Sequence, residues 1–479
     1  MSAPLRAAAP AFSGRHAFLA ELAAGFALAW PLIATNLTGA GMMTTDVVVL
    51  GWLSPEALAA GAIGFNFYFP FFLFALGVVA AASPLAAHAI GADRSDKAGV
   101  RGIAHQALIS ALLMSPPAWV LLWFAGPILR AIGEPPELAD MAGTYMHGLQ
   151  WAFLPALGVI ALRATFSALD RVGPVLVAGA LALIVNGLLD YALVFGKWGL
   201  PNLGVIGSGY ATTFANIFNL LALAVYALFD RELKAYGILS TWPRWDLAGM
   251  ARLWRLGLPS GALVLAEVST FAGSFMVMGL LGVPTVEAHA AVLQVASLAF
   301  SVPLGLGQAA SVRVGQAFGA GDGAGIRRAG RAALTLTVGF AALSALVIVL
   351  FPRPILSGFF DLNAPDAAEA VTLALSFIWV VAAFQIFDGL QVALTNMLRG
   401  IHDARVPLML ALAGYWGVGA PLGLGLAFLT PLKGLGVWIG LAAGLASVSL
   451  FEGLRWRAKM AGGAKASVIA SEAKQSRGA

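Results

Sequence analysis

Long apolar segments follow one another along almost the whole of this 479-residue chain, with little polar sequence between them. Hydrophobic residues make up 60% of the sequence and charged residues 11%, against about 25% charged residues in a typical soluble domain. A water-soluble core of this size cannot bury so much apolar surface. The segments are continuously apolar rather than alternating, so the sequence predicts an all-α integral membrane protein rather than a barrel.

We predict twelve membrane-spanning helices, each long enough to cross about 30 Å of hydrocarbon. Their approximate ranges are 20–50, 55–82, 99–126, 138–162, 173–196, 203–229, 252–281, 287–316, 329–352, 367–397, 405–428 and 434–455.

The distribution of basic residues supports an even number of spans. If the N-terminus lies inside, nearly all of the 28 Lys and Arg residues fall on inner segments or inner helix ends. The exceptions are Arg130, Lys197, Arg353 and Lys433. The positive-inside rule then predicts a multi-pass membrane protein with both termini in the cytoplasm. The formal net charge of +5 is therefore a topology signal and does not indicate a nucleic-acid partner.

A polar connector at 230–251 divides the predicted spans into two groups of six. The N-terminal lobe covers 17–229 and the C-terminal lobe covers 252–456. A short cytoplasmic N-terminus, 1–16, precedes them. The small, polar and basic tail at 457–479 has the composition of a disordered segment.

The two halves contain three matching segments, which indicate an internal repeat. The matched pairs are Pro31 with Pro259, Ser83 with Ser311 and Gly91 with Gly319 at a separation of 228, and Asp170 with Asp403 and Pro174 with Pro407 at 233. Both halves begin on the same side, so the repeat predicts two lobes related by a pseudo-two-fold axis along the membrane normal. Many secondary transporters are built in this way, with the binding site between the repeats.

Four carboxylates lie in stretches apolar enough to enter a bilayer: Asp46, Asp190, Glu267 and Asp388. A charged side chain at the centre of a membrane helix costs about 2.5–3.5 kcal/mol on insertion scales, and such residues usually line ion or substrate pathways. Their presence therefore predicts a membrane protein that handles cations or protons.

In the N-terminal half, Asn186 and Asp190 are four residues apart and share one face of the fifth span. Asp46 on the first span and either Thr212 or Thr213 on the sixth are expected to complete a polar cluster. A carboxylate held among amide and hydroxyl groups away from water binds a proton or a cation. A structural hydrogen-bond network between helices is the alternative.

The C-terminal half carries a second polar set on two spans. Its members are Glu267 and Thr270 on the seventh span and Phe384, Gln385, Asp388 and Gln391 on the tenth. Carboxylate, amide and hydroxyl oxygens suit a hard cation, so a Na⁺ site at Glu267 and Asp388 is possible on this pattern. An aromatic ring nearby favours an organic cation. The glutamines could equally serve to link helices.

Sequence motifs for catalysis are not found. The chain contains no HExxH, GxSxG or Walker A motif, and it has no cysteine. These observations argue against a membrane protease or transferase and against ATP hydrolysis. We expect a monomeric transporter without a cofactor, embedded in membrane lipid and driven by an ion gradient.

At these residues the chain resembles the multidrug and toxic compound extrusion family, in particular its bacterial NorM-like branch, over roughly residues 15–455. The segments that carry the resemblance are AWPLIATN…TTDVVVLG, VNGLLDYALVFGKWGLPNLGVIGSG, RLWRLGLPSGALVLAEVSTFA, EAHAAVLQVASLAFSVPLGLGQAASVRVGQAFGAGD and FQIFDGLQVALTNMLRGIHDARVP. The resemblance implies two six-helix lobes around a central V-shaped cleft. It also implies export of cationic amphipathic compounds in exchange for Na⁺ or H⁺.

Five residues carry over from the family by position. They are Asp46 on the first helix, Asn186 and Asp190 on the fifth, Glu267 on the seventh and Asp388 on the tenth. The chain departs from the family pattern at two sites. Asp190 stands where many NorM-like members have Asn, and Phe384 stands where a Tyr is often found. These departures leave the coupling ion open between H⁺ and Na⁺.

The sequence therefore predicts an antiporter that exports cationic drugs by alternating access. One alternative is a lipid-linked precursor flippase of the same superfamily, although a flippase needs a cationic cleft to hold pyrophosphate and the candidates here are acidic. A drug exporter of the major facilitator type is the other alternative.

Overall fold

The computed structural model describes residues 14–362, 364–365 and 367–462 of the chain, and the regular structure in these ranges is helical. Twelve helices are long and apolar enough to cross a membrane. They are α1 Arg15–Leu53, α2 Pro55–Ala92, α3 Lys97–Trp123, α4 Pro136–Ala168, α5 Gly173–Phe195, α6 Val205–Phe229, α7 Leu247–Leu281, α8 Val283–Gly319, α9 Gly323–Leu350, α10 Ala368–Gly400, α11 Arg405–Leu429 and α12 Lys433–Ala461. The predicted all-α membrane class with twelve spans is confirmed. Most of the predicted N-terminal segment and of the basic tail lies outside the described residues.

Three of the long helices contain a local irregularity. α2 is interrupted at Ala81 between Pro55–Ala80 and Ala82–Ala92, and α4 contains a 3₁₀ turn at Gln150–Ala152. α11 contains a π-helical segment, Ala413–Gly419. Shorter helices in the connections are Ala125–Ala131, Arg231–Tyr236 and Pro352–Leu356.

Side-chain caps fix the start of four spans. Ser54 accepts a hydrogen bond from the backbone of α2, and Asp96, Asp246 and Asp322 do the same for α3, α7 and α9. The first four N–H groups of a helix have no partner within it, so a short oxygen-bearing side chain at this position stabilises the helix by about 1 kcal/mol. The connections between spans can therefore be short without leaving backbone donors unpaired.

The described chain begins and ends on the same side of the bundle, because an even number of spanning helices alternates in direction. We call this side the terminal face. The helix ends that meet there include the last turns of α2 and α8. A Cβ added at Gly91 would fall on the carbonyl of Gln316, and one added at Gly319 would fall on the carbonyl of His88. α2 and α8 are thus in backbone contact across the boundary between the lobes.

These two contacts are related by the repeat. Gly319 lies 228 positions after Gly91, and Gln316 lies 228 positions after His88. A second pair of contacts is related by the same offset of 228 residues and lies further from the terminal face. A Cβ at Gly77 would meet the backbone of Gly261, and the matching Gly305 would meet the backbone of Ile33. The same contact therefore occurs twice, once on each side of the predicted pseudo-two-fold axis.

The third repeat match is shifted by one residue from its predicted alignment. The turn after α4 has a positive φ at Asp170, and the turn after α10 has one at His402. The matching backbone hydrogen bonds are Asp170 to Ser167 with His402 to Arg399, and Arg171 to Phe166 with Asp403 to Leu398. Asp170 therefore corresponds to His402, and the alignment of Asp170 with Asp403 is wrong because it followed residue identity rather than turn geometry.

The corresponding residues Arg171 and Asp403 carry opposite charges but have similar roles. Arg171 pairs with Glu232, which follows α6, and Asp403 pairs with Arg455 in the last turns of α12. Each ion pair joins the turn in the middle of a lobe to the end of that lobe. The arrangement of the repeat is thus kept while its charges are exchanged.

Polar contacts also join the lobes near the terminal face. Arg313 of α8 donates two hydrogen bonds to Glu21 of α1, at 2.8 and 2.9 Å. Gln316 donates to the carbonyl of Ala168 at 3.1 Å. Burial, reinforced by the neighbouring His88, lowers the pKa of His402 to about 4. The ring of His402 is therefore neutral at physiological pH and can pack between the lobes.

Candidate cation-binding sites in the two lobes

The N-terminal lobe brings together three predicted side chains from α1, α5 and α6. Asn186 donates from Nδ2 to Oδ1 of Asp46 at 3.1 Å, and Thr212 donates from Oγ1 to Oδ2 of Asp46 at 2.6 Å. Of the two threonines considered, Thr212 completes this cluster. Thr213 instead donates to the carbonyl of Gly148 on α4, at 2.8 Å.

Asp190 lies one turn after Asn186 and beside Asp46 and Ser208. Its side chain is fully buried, and neither carboxylate oxygen has a hydrogen-bond partner among the described residues. Two ionised carboxylates placed side by side away from water repel each other. A shared proton or a bound cation would remove this repulsion.

Asn186 and Ser208 each add a buried oxygen to this group of atoms without hydrogen-bond partners. Oδ1 of Asn186 and Oγ of Ser208 are also buried without a partner in the described part of the chain. Buried polar groups are normally hydrogen-bonded, and exceptions often mark functional positions. The oxygens around Asp190 thus form a group that a proton or a small hard cation can satisfy.

The C-terminal lobe places Glu267 of α7 and Asp388 of α10 within electrostatic reach of each other. Asp388 is 3% exposed and Glu267 is half-buried. No described donor hydrogen-bonds to either carboxylate. Asp388 therefore lies inside the lobe, whereas part of the Glu267 side chain stays exposed.

The three polar residues predicted to support Glu267 and Asp388 make other contacts. Thr270 donates to the carbonyl of Ala266 at 2.9 Å, Gln385 to the carbonyl of Ala296 at 3.2 Å, and Gln391 to Oγ1 of Thr395 at 3.0 Å. In this structure Gln385 links α10 to α8, whereas Thr270 and Gln391 bond within their own helices.

Three further polar residues near these acids escaped the sequence analysis. Glu452 of α12 is fully buried and accepts from Oγ1 of Thr395 at 2.9 Å. Arg399 faces both Glu452 and Glu267. Tyr415, in the π-helical segment, is 3% exposed, and its hydroxyl has no described partner although Glu267, Glu452 and Asp388 are close enough to act on it.

The signal for one of these residues, Arg399, is a polar stripe on α10. Asp388, Gln391, Thr395 and Arg399 follow at spacings of three, four and four residues, which puts them on one helix face. The sequence analysis ended this polar stripe at Gln391, because it counted Arg399 among the basic residues of the inner segments. It counted Arg455, which lies near Glu452, in the same way. The sequence analysis therefore did not assign Arg399 to the site, and it did not single out Glu452.

With this geometry in view, the chain can be compared with known proteins. The family model MatE matches residues 31–192 and 259–424, one segment in each lobe and more than half of the chain.

The chain belongs to the MatE family.

Curated relatives of this MatE protein support the assignment. It is 42% identical to "Probable multidrug resistance protein NorM" of Mesorhizobium japonicum, over 91% of this chain and 93% of the relative. It is 39% identical to "Multidrug resistance protein NorM" of Burkholderia vietnamiensis, over 95% and 96% of the two chains. The resemblance identified from the sequence is confirmed, and it excludes the major facilitator alternative.

The solved structure of a eukaryotic MATE transporter, AtDTX14, has a similar fold. The TM-score is 0.81 at 25% identity, covering 94% of this chain and 99% of that one. The MatE protein is therefore a transporter rather than an enzyme. Within the described residues, no group of three or more His, Asp or Glu side chains is placed to hold a metal ion.

Phe384, which stands where the family often has Tyr, is a packing residue in this structure. Its ring centroid lies 6.1 Å from that of Phe271 and 5.6 Å from that of Trp438, and the side chain is 1% exposed. A hydroxyl at this position would therefore enter an aromatic cluster.

Replacing Phe384 by Ala is expected to lower the free energy of unfolding by about 3–5 kcal/mol, because it leaves a cavity in this cluster. Thermal unfolding of the purified protein in one detergent measures the loss. Phe428→Ala, at an exposed position on α11, is the matched control and should leave the melting temperature nearly unchanged. Equal melting temperatures for both variants would contradict the packing role.

Proposed function

We propose that this MatE protein is a multidrug efflux transporter that exports cationic amphipathic compounds in exchange for H⁺ or Na⁺. We place it in the bacterial inner membrane, with the terminal face in the cytoplasm. The names of its relatives support drug efflux. The buried acids in both lobes support antiport, because an ion and a cationic drug can compete for the same negative charge.

The observation that carries the proposal is the pairing of Asp46 with Asp190. A buried acid pair with so few donors needs a positive partner in every state of the transport cycle. When the partner is H⁺ or Na⁺, the negative charge available to a drug falls and the drug is released. When the ion leaves, a cationic drug becomes the favoured partner.

The positions of the contacts between the lobes support one conformational state of the transport cycle for this structure. The α2–α8 crossing and the Arg313–Glu21 pair lie near the terminal face. Asp46 lies 13 residues beyond Ile33, or about 20 Å farther along α1. In the proposed orientation, these contacts close the cytoplasmic side. Rocking of the two lobes would then expose the acids to the cytoplasm.

Transport into everted membrane vesicles tests the proposal. A fluorescent organic cation should accumulate in the lumen when the lumen is acidic or is loaded with Na⁺, and testing the two gradients separately identifies the ion. Asp388→Asn should reduce this accumulation, whereas Asp140→Asn, at an exposed position paired with Arg130, should not. Accumulation that is independent of both the pH gradient and the Na⁺ gradient would refute ion-coupled antiport.

The lipid-linked precursor flippase remains a distinct outcome of the same assay. A flippase should show no gradient-driven uptake of organic cations, and it should bind a pyrophosphate-bearing lipid. The acidic character of both clusters argues against it.

A further inference from the structure

The polar stripe on α10 leads from the acid site of the C-terminal lobe toward the terminal face. It begins at Asp388 and ends at Arg399, 11 residues later, a rise of about 16 Å along the helix. Between them, Gln391 donates to Thr395, and Thr395 donates to Glu452. The stripe thus connects the candidate cation site to a buried acid on another helix.

Glu452 brings a third carboxylate into the lobe. It is fully buried, and the hydroxyl of Thr395 lies 2.9 Å from both of its carboxylate oxygens. One hydroxyl cannot neutralise a charge, so a buried carboxylate of this kind needs a positive neighbour. Arg399, one turn after Thr395, is the basic side chain that faces it.

Arg399 also approaches the α7 side of the site. With Ser260, Leu263 and Thr395 it lines a small cavity between α7 and α10. Ser260 and Leu263 lie seven and four residues before Glu267, on the helix face that leads to it. Arg399 accordingly acts electrostatically on Glu267 as well as on Glu452.

The Arg399 guanidinium is not fixed in a salt bridge. Among the described side chains it forms no ion pair, and its Nε is buried without an acceptor. A planar guanidinium normally forms two parallel hydrogen bonds to a carboxylate when one is in contact. Here a single cation instead stands between two acids and is free to favour either of them.

We propose that Arg399 is a positioning residue that acts as an internal cation of the C-terminal lobe, and that Glu452 sets how much of its charge reaches Glu267. The inference rests on the proposed function, because it assumes that an external cation binds at Glu267 and Asp388. The positive charge of Arg399 opposes that external cation. Glu452 attracts the Arg399 guanidinium away from Glu267, so the site keeps its affinity for a cationic substrate.

The two residues should therefore act in opposite directions. Arg399→Gln removes the internal competitor and should bind a cation more tightly. Glu452→Gln releases Arg399 toward Glu267 and should bind a cation more weakly. Removing one partly screened charge near a site changes affinity by about tenfold. The double variant should bind a cation within about threefold of Arg399→Gln alone, because Glu452 acts through Arg399 and has no guanidinium to hold once Arg399 is replaced.

Equilibrium binding of tetraphenylphosphonium to the purified full-length protein in lipid nanodiscs measures these shifts. Arg399→Lys keeps the charge and should stay close to the original affinity, and Arg457→Gln, at an exposed position on α12, is the control for total charge. Melting temperatures show whether each variant is folded. A purely structural role would lower the melting temperature without moving the two affinities in opposite directions.

The outcomes separate this inference from the proposed function. If tetraphenylphosphonium binds and Asp388→Asn weakens the binding, but Arg399→Gln and Glu452→Gln shift affinity in the same direction or not at all, the internal-cation role is overturned alone. If Asp388→Asn has no effect on binding, the cation site itself is wrong. Opposite shifts in the single variants, with a double variant that binds like Arg399→Gln, support the inference.

Discussion

Asp46→Asn is expected to reduce ion-driven efflux by about 100-fold or more, which corresponds to about 3 kcal/mol of lost coupling. Asp46 accepts hydrogen bonds from both Asn186 and Thr212 and lies beside Asp190. Asn has nearly the same shape but carries no charge, and it cannot take up and release a proton. Its amide could also donate to Asp190, and with one of the two adjacent charges removed the repulsion that favours ion binding would be lost.

The everted-vesicle assay measures this loss. The amount of inserted protein should be unchanged, because the substitution removes a buried charge without changing side-chain volume. Asp140→Asn, in the same lobe but exposed, should transport at the original rate. Full gradient-driven transport by Asp46→Asn would show that the cluster is structural.

Gly319→Ala is expected to open the terminal face. The new Cβ would fall on the carbonyl of His88 and close to the backbone of Ala92, and neither can move without shifting the whole of α2. Overpacking of this kind costs about 1–3 kcal/mol, enough to shift a two-state equilibrium about 5- to 150-fold. The cost is felt only while the lobes are in contact, so the population moves toward the terminal-open state.

Because the chain has no cysteine, a single introduced cysteine is the only residue that a thiol reagent labels. Ala309→Cys, at a position 2% exposed within the lobe boundary, should react slowly with a maleimide in the original background. It should react about tenfold faster when Gly319→Ala is added, as expected from the population shift. The symmetry-related Gly91→Ala should have the same effect. Gly102→Ala, whose Cβ would contact nothing, should not. Equal labelling rates in all backgrounds would exclude the glycine contact as a gate.

The number and order of the helices could be predicted because hydrophobic length alone determines them. The predicted span 173–196 agrees with Gly173–Phe195, but the predicted 20–50 is shorter than Arg15–Leu53. Hydropathy marks only the segment that lies in hydrocarbon, whereas helical hydrogen bonding continues into the polar ends. The π-helical turn in α11 was not predicted, since apolar composition carries no information on how tightly a helix is wound.

The site residues could be predicted where a charged residue stands in an apolar segment. They could not be predicted where the segment already contains other charged residues. Asp46 and Asp190 are conspicuous because few polar residues surround them in the sequence. Glu452 and Arg399 lie in segments that already contain Arg residues, so their burial depends on neighbours contributed by other helices. Only the packing of α10 against α12 distinguishes them from ordinary interfacial charges.

The winding of α11 explains how this helix stays against α12 along its whole length. Its buried positions recur every fourth residue, at Pro407, Ala411, Tyr415, Gly419, Gly423 and Ala427. In an uninterrupted α-helix each step of four residues would rotate the stripe by roughly 40°, and five steps would carry it past the far side. The wider turns between Ala413 and Gly419 take up part of this rotation. A helix that would otherwise spiral away from its neighbour therefore runs straight beside it.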